Sequence, residues 1–122
     1  MGNSPIENRI GSVFVPVSNM EHAAAWYSKL LGLSLETTTH GGKIYTLPMA
    51  GEVSLILDSH KPVANSSQPL FFFWTPDIKR AYQFFRENEV EIASSIEDIG
   101  SVTTLIFKDL DQNLLMVCQK MS

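Results

Sequence analysis

The chain carries one pattern twice. Asn19 matches Asp77, Trp26-Tyr27 matches Phe84-Phe85, and Leu33-Ser34-Leu35 matches Val90-Glu91-Ile92, each offset by about 57–58 residues. Each half reads strand, helix, strand, strand, strand. A sheet with its helix on one side leaves the other side open, so two such units side by side can curl into a half-barrel around a shared cleft. The expected fold class is α+β: two tandem βαβββ modules forming a curved mixed sheet, with the helices on the outer face. The modules span about 9–58 and 70–119 of a single domain, 1–122, and a linker at 59–69 joins them.

Local signals place the elements. Arg9–Val17 is β-rich and predicts the first strand. Ser18-Asn19-Met20-Glu21 has the spacing of a capping box, with Ser18 as the cap and Glu21 reaching back. Met20, Ala23, Ala24, Tyr27, Leu30 and Leu31 then share one helical face, and Gly32 ends the helix. Leu33–Thr39, Ile44–Met49 and Val53–Asp58 predict short strands, with turns at His40-Gly41-Gly42 and Ala50-Gly51. In the second half a helix from about Asp77 to Asn88 buries Ile78, Ala81, Tyr82 and Phe85. Strands follow at Val90–Ala93, Val102–Phe107 and Leu114–Gln119, with a turn at Asp109–Asn113.

The second half opens on Pro69-Leu70-Phe71-Phe72-Phe73-Trp74-Thr75-Pro76. Proline tolerates a strand end and not its interior, so the two prolines bound a strand. Leu70 to Trp74 has no polar side chain, which predicts burial on both faces. Leu70, Phe72 and Trp74 point one way and Phe71 and Phe73 the other.

Composition narrows the classes of function. A chain of 122 residues with 44% apolar and 18% charged side chains is an ordinary soluble globular protein. A net charge of −4 without a basic cluster argues against nucleic acid. No run is long enough to span a membrane, and the polar Met1–Arg9 start has no signal core. The single cysteine, Cys118, forms no internal disulfide, so a cytoplasmic location is expected.

Val17-Ser18-Asn19-Met20-Glu21, followed by Ala25-Trp26-Tyr27-Ser28-Lys29-Leu30-Leu31-Gly32-Leu33, resembles the first module of the vicinal oxygen chelate superfamily. That group includes glyoxalase I, fosfomycin- and bleomycin-resistance proteins and extradiol dioxygenases. Phe107-Lys108-Asp109-Leu110-Asp111-Gln112-Asn113, then Leu114-Leu115-Met116-Val117, resembles its closing strand, with Leu110 and Gln112 where Pro and Gly usually stand. The likeness runs from about Arg9 to Gln119. It implies a divalent metal held by side chains pointing into the cleft, and the matching positions are Ser12, Leu70 and Met116. Such a metal needs carboxylate oxygen or imidazole nitrogen, which none of the three supplies. Asp58, on the strand that gives the family an occasional fourth ligand, cannot hold a metal alone. No metal and no cofactor is therefore expected.

If Ser12, Leu70 and Met116 face inward, alternation adds Phe14, Phe72, Trp74, Leu114 and Cys118, while Val13, Val15, Phe71, Phe73, Leu115 and Val117 lie beneath the helices. Each aromatic ring there represents roughly 150–250 Å² of surface, which needs a cover. A flat apolar ligand, a partner subunit or the protein's own side chains could supply it. His22, His40 and His60 read as solvated, and Cys118 as buried and inert. Asp58 reads as a turn or rim residue; Tyr45 and Glu36 face either cleft or solvent. The favoured expectation is a metal-independent small-molecule binding protein, similar to the bleomycin-resistance branch, that acts by sequestration and has no catalytic residue. Its ligand would stack on Trp74 and the phenylalanines, with Asp58, Ser12, Tyr45 or Glu36 as rim polar contacts. The resemblance also implies a homodimer. Two alternatives stand beside it: a metal-dependent lyase or dioxygenase of the same superfamily, and a ligand-free dimerisation module.

Overall fold

Two strand ladders, each with its own helix, organise the chain. The structure, a computed structural model, describes residues 4–36, 42–60 and 62–120. It divides into two compact units, Met1–Val63 and Ala64–Ser122. The first contains β1 (Ser12–Pro16), α1 (Met20–Leu31), β2 (Ile44–Leu47) and β3 (Ser54–Asp58). The second contains β4 (Phe72–Trp74), α2 (Ile78–Glu87), β5 (Glu91–Ile92), β6 (Glu97–Asp98), β7 (Val102–Lys108) and β8 (Leu114–Lys120). With two helices and two mixed sheets this is an α+β fold, and neither sheet closes into a barrel.

In the first unit the strand order is β1-β3-β2, with β1 parallel and β2 antiparallel to β3. Val15, Leu57 and Tyr45 lie side by side in register, all buried on the face that α1 covers. The helix buries Met20, Ala23, Ala24 and Tyr27 as its apolar spacing requires. Its cap lies one residue beyond the expected Ser18. Asn19 is extended (φ −130°, ψ 105°), and its Oδ1 accepts from the His22 N–H at 3.0 Å. Asparagine is among the strongest N-cap residues, and placing it there puts Glu21 in the first turn, where its charge complements the helix dipole.

The second unit repeats the device. Asp77 caps α2 through an Arg80 N–H bond of 3.2 Å, and Phe85 occupies the buried place that Tyr27 holds on α1. Phe85 packs on Phe107 of β7 with ring centroids 4.4 Å apart. The strand order is β4-β8-β7-β5, with β6 also on β7; β4 runs parallel to β8 and the other pairs are antiparallel.

Two strand expectations need correction, and one strand was unforeseen. Residues 33–36 form no strand, and the remainder of the predicted Leu33–Thr39 strand, with His40 and Gly41, lies outside the described residues. The short β6 was not anticipated, because Glu97-Asp98 is acidic and exposed and has no apolar alternation to announce it. Burial of β4 on both faces also fails. Phe71 and Phe73 are half-buried, whereas Leu70, Phe72 and Trp74 are exposed. A strand of an open sheet with a helix on one side has a cover for only one set of alternating side chains.

The two helices end differently. Gly32 takes the left-handed conformation (φ 69°) after α1, but after α2 it falls to Glu89 (φ 57°). A side chain in that region costs roughly 1–2 kcal/mol, part of which glycine returns as unfolded-state entropy. Glu89→Gly should therefore raise stability by about 0.5–1 kcal/mol in urea unfolding; a fall would contradict this account.

Candidate functional site

Register determines which side chains share the face of the second unit that α2 does not cover. Phe72 stands beside Met116 and Ile106, Trp74 beside Cys118 and Thr104, and Leu114 beside Lys108. Leu70 joins this edge through its N–H bond to the Leu114 carbonyl, 2.9 Å. The aromatic pair is the prominent feature. Phe72 and Trp74 are 46% and 55% exposed, and their rings meet edge to face at 4.9 Å and 83°. Lys120, at the end of β8, holds its ammonium 5.0 Å from the Trp74 ring centroid. Trp74, Thr75, Pro76, Gln119 and Lys120 line an open recess of about 530 Å³. Leu114 and Met116 are half-buried on the same face.

Cys118 belongs to this face by register, but it is buried between its strand neighbours. Burial pushes its thiol above the ordinary value of 9.0, since the thiolate would lose its hydration. At neutral pH the native thiol should react with an aromatic disulfide reagent at least ~100-fold more slowly than the thiol of the urea-unfolded chain. Comparable rates would show an accessible sulfur.

The first unit has an uncovered face of its own. Ser12, Phe14 and Pro16 on β1 align with Ser54, Ile56 and Asp58 on β3, and Thr46 and Ile44 continue the rows on β2. Ser12 is exposed, and Phe14 is 58% exposed. Asp58 is partly buried at the strand end. Its Oδ1 accepts from the His60 N–H at 2.8 Å and lies 3.0 Å from His60 Nδ1, so His60 has a partner that the sequence reading did not assign. Tyr45 is not on this face. It is buried on the α1 side beside Leu57, and its phenol oxygen accepts from the Glu36 N–H at 3.0 Å. The backbone donor lets an aromatic with a polar tip lie in the core, so Tyr45 serves packing rather than the rim.

The Asp109–Asn113 turn carries a buried polar network. Asp109 is 4% exposed; its Oδ1 accepts from the N–H groups of Asp111 and Asn113, each at 2.9 Å. The Asn113 side-chain amide donates to Asp109 Oδ2 at 2.9 Å. These bonds lock the turn that feeds β8. Gln112 there is left-handed (φ 67°), and its side chain bonds Glu91 at 3.3 Å and Lys108 at 3.4 Å. Bonds from Gln112 and then Lys108 hold the Glu91 carboxyl below its usual value.

The divalent metal that the resemblance implies finds no fitting residues at the matched positions. Ser12, Leu70 and Met116 offer a hydroxyl, an alkyl group and a thioether. Among the described residues, no group of three or more His, Cys, Asp or Glu could hold an ion. Lys120 is the site residue that sequence reasoning missed. Alternation from Leu114 through Met116 and Cys118 reaches it directly, but its charge sets it apart from the apolar pattern of the strand.

Comparison with known proteins gives the family. The pattern of the Glyoxalase/Bleomycin resistance protein/Dioxygenase superfamily matches residues 9–117, and the chain belongs to that superfamily. Among solved structures, TnmS3, an antibiotic binding protein from Streptomyces sp. CB03234, has a TM-score of 0.76 at 20% identity, covering 98% of this chain and 100% of its own. A glyoxalase/dioxygenase from Nostoc punctiforme has a TM-score of 0.75 at 16% identity, covering 98% and 99%. Lactoylglutathione lyase from Agrobacterium tumefaciens has a TM-score of 0.72 at 17% identity, covering 95% and 96%. At these identities the likeness is one of fold. The comparison with curated proteins found no match. Among the described residues, no helix is long and apolar enough to cross a membrane.

Proposed function

We propose that this chain is a metal-independent binding protein for small apolar or aromatic molecules, and that it acts by sequestering them. The exposed Phe72–Trp74 pair carries the reading. Two rings held edge to face on an uncovered sheet present a continuous apolar surface, and leaving it wet forgoes several kcal/mol at about 25 cal/mol per Å². Leu70, Leu114 and Met116 extend that surface along the strands. The side chains at Ser12, Leu70 and Met116 give no reason to invoke a bound cation. The likeness to an antibiotic binding protein agrees with this reading.

The proposal includes a homodimer, by analogy with the superfamily, and a reducing compartment that suits the unpaired Cys118. Fluorescence titration with a panel of flat aromatic compounds tests the function. Emission should change saturably, and EDTA should leave the titration unaltered. A panel without any response would remove the binding reading. A stoichiometric divalent ion in elemental analysis, with activity or binding lost in EDTA, would restore the metal-dependent lyase or dioxygenase reading.

A further inference from the structure

The recess beside Trp74 has a charge preference opposite to that of the whole chain. The chain is net acidic at −4, a weak bias toward cationic ligands. Of the five lining residues, Trp74, Thr75, Pro76, Gln119 and Lys120, none is acidic and one is a cation. No carboxylate among the described residues lies within ion-pair distance of Lys120, whose ammonium lies over the π face of Trp74. A ring face satisfies a cation by its quadrupole and leaves the three N–H donors of the ammonium available to an oxygen.

Gln119 adds a second donor. Its Oε1 accepts from the Ile78 N–H at 2.8 Å, and because a backbone N–H only donates, this bond fixes which end of the amide is oxygen. The amide NH₂ is then the end left for other partners. Thr75 Oγ1 is already engaged with Asp77, accepting from its N–H and donating to its carbonyl, each at 3.3 Å. Pro76 has no N–H. The lining thus combines an aromatic surface with N–H donors, and its two side-chain oxygens each already accept a backbone N–H.

We propose that this recess takes a flat aromatic ligand bearing an anionic oxygen, a carboxylate or a phenolate. The ring lies against Trp74, and the anion pairs with Lys120. This inference rests on the binding function above and specifies its ligand class. An exposed ion pair of this kind, reinforced by a charge-assisted hydrogen bond, is worth roughly a 3- to 10-fold gain in affinity.

The experiment is calorimetric titration at pH 7 of the full chain with naphthalene carboxylate and with the matching neutral carboxamide. The carboxylate should bind about 3- to 10-fold more tightly, and added salt should shrink the gap. Lys120→Met should abolish the preference for the carboxylate over the carboxamide, and Lys120→Arg should retain it. Equal affinity of the two probes, or a preference that survives Lys120→Met, overturns the inference and leaves the binding function standing. Failure of both probes, together with silence across the aromatic panel, removes the two together.

Discussion

Asp109→Ala is expected to destabilise the fold by about 2–4 kcal/mol, read as the shift in urea midpoint at constant slope. The carboxylate is almost fully buried, so water cannot replace what the substitution removes. Alanine would strand the N–H groups of Asp111 and Asn113 and the Asn113 amide, all now held at 2.9 Å. The backbone pair between the Asp109 N–H and the Asn113 carbonyl, 3.1 Å, would lose the side-chain clamp across it. Asp109→Asn is the informative companion. One amide oxygen can still accept from the two backbone donors, but its NH₂ would face the NH₂ of Asn113, so an intermediate loss is expected. A change below about 0.5 kcal/mol for the alanine variant would mean that the turn is held by other contacts.

Trp74→Ala is expected to weaken binding of a flat aromatic ligand by about 10- to 100-fold with little change in stability. A ligand ring covering half of the indole removes on the order of 100 Å² from water, which at about 25 cal/mol per Å² is roughly 2.5 kcal/mol. Loss of a ring–ring contact adds about 0.5–1.5 kcal/mol, partly offset because the shortened site still offers Phe72. Stability should move by under about 1 kcal/mol, because more than half of Trp74 already faces solvent. The variant also assigns the optical signal, since Trp26 is the other tryptophan and packs on Tyr27. Undiminished affinity would place the ligand elsewhere, whereas a large fall in stability would make Trp74 a packing residue.

How far these features were legible in the sequence depended on their physical range. The helices were readable because spacing, cap and stop lie within a few residues: Tyr27 and Phe85 are buried as the periodicity requires, and Gly32 ends α1. Alternation separated Phe72 and Trp74 from Phe71 and Phe73, but it could not say that only one set would be covered, which depends on where α2 packs. Ser18 and Asn19 are both good caps, and a choice between neighbours needs backbone angles. Tyr45 was undecidable because its burial depends on a donor nine residues away, the Glu36 N–H. The Asp109–Asn113 turn was visible as a motif, while its buried network needed three dimensions.

The strand pairings have one further consequence. Each sheet draws all its strands from one half of the chain, and the most distant partners, such as Ser12 with Ser54 and Trp74 with Cys118, are roughly 40–45 residues apart. The polypeptide therefore closes two moderate loops rather than one spanning its length, and the entropic cost of each search is set by half the chain. Refolding should begin independently in either half, in the time range of mixed α/β domains rather than the slower one of all-β sandwiches.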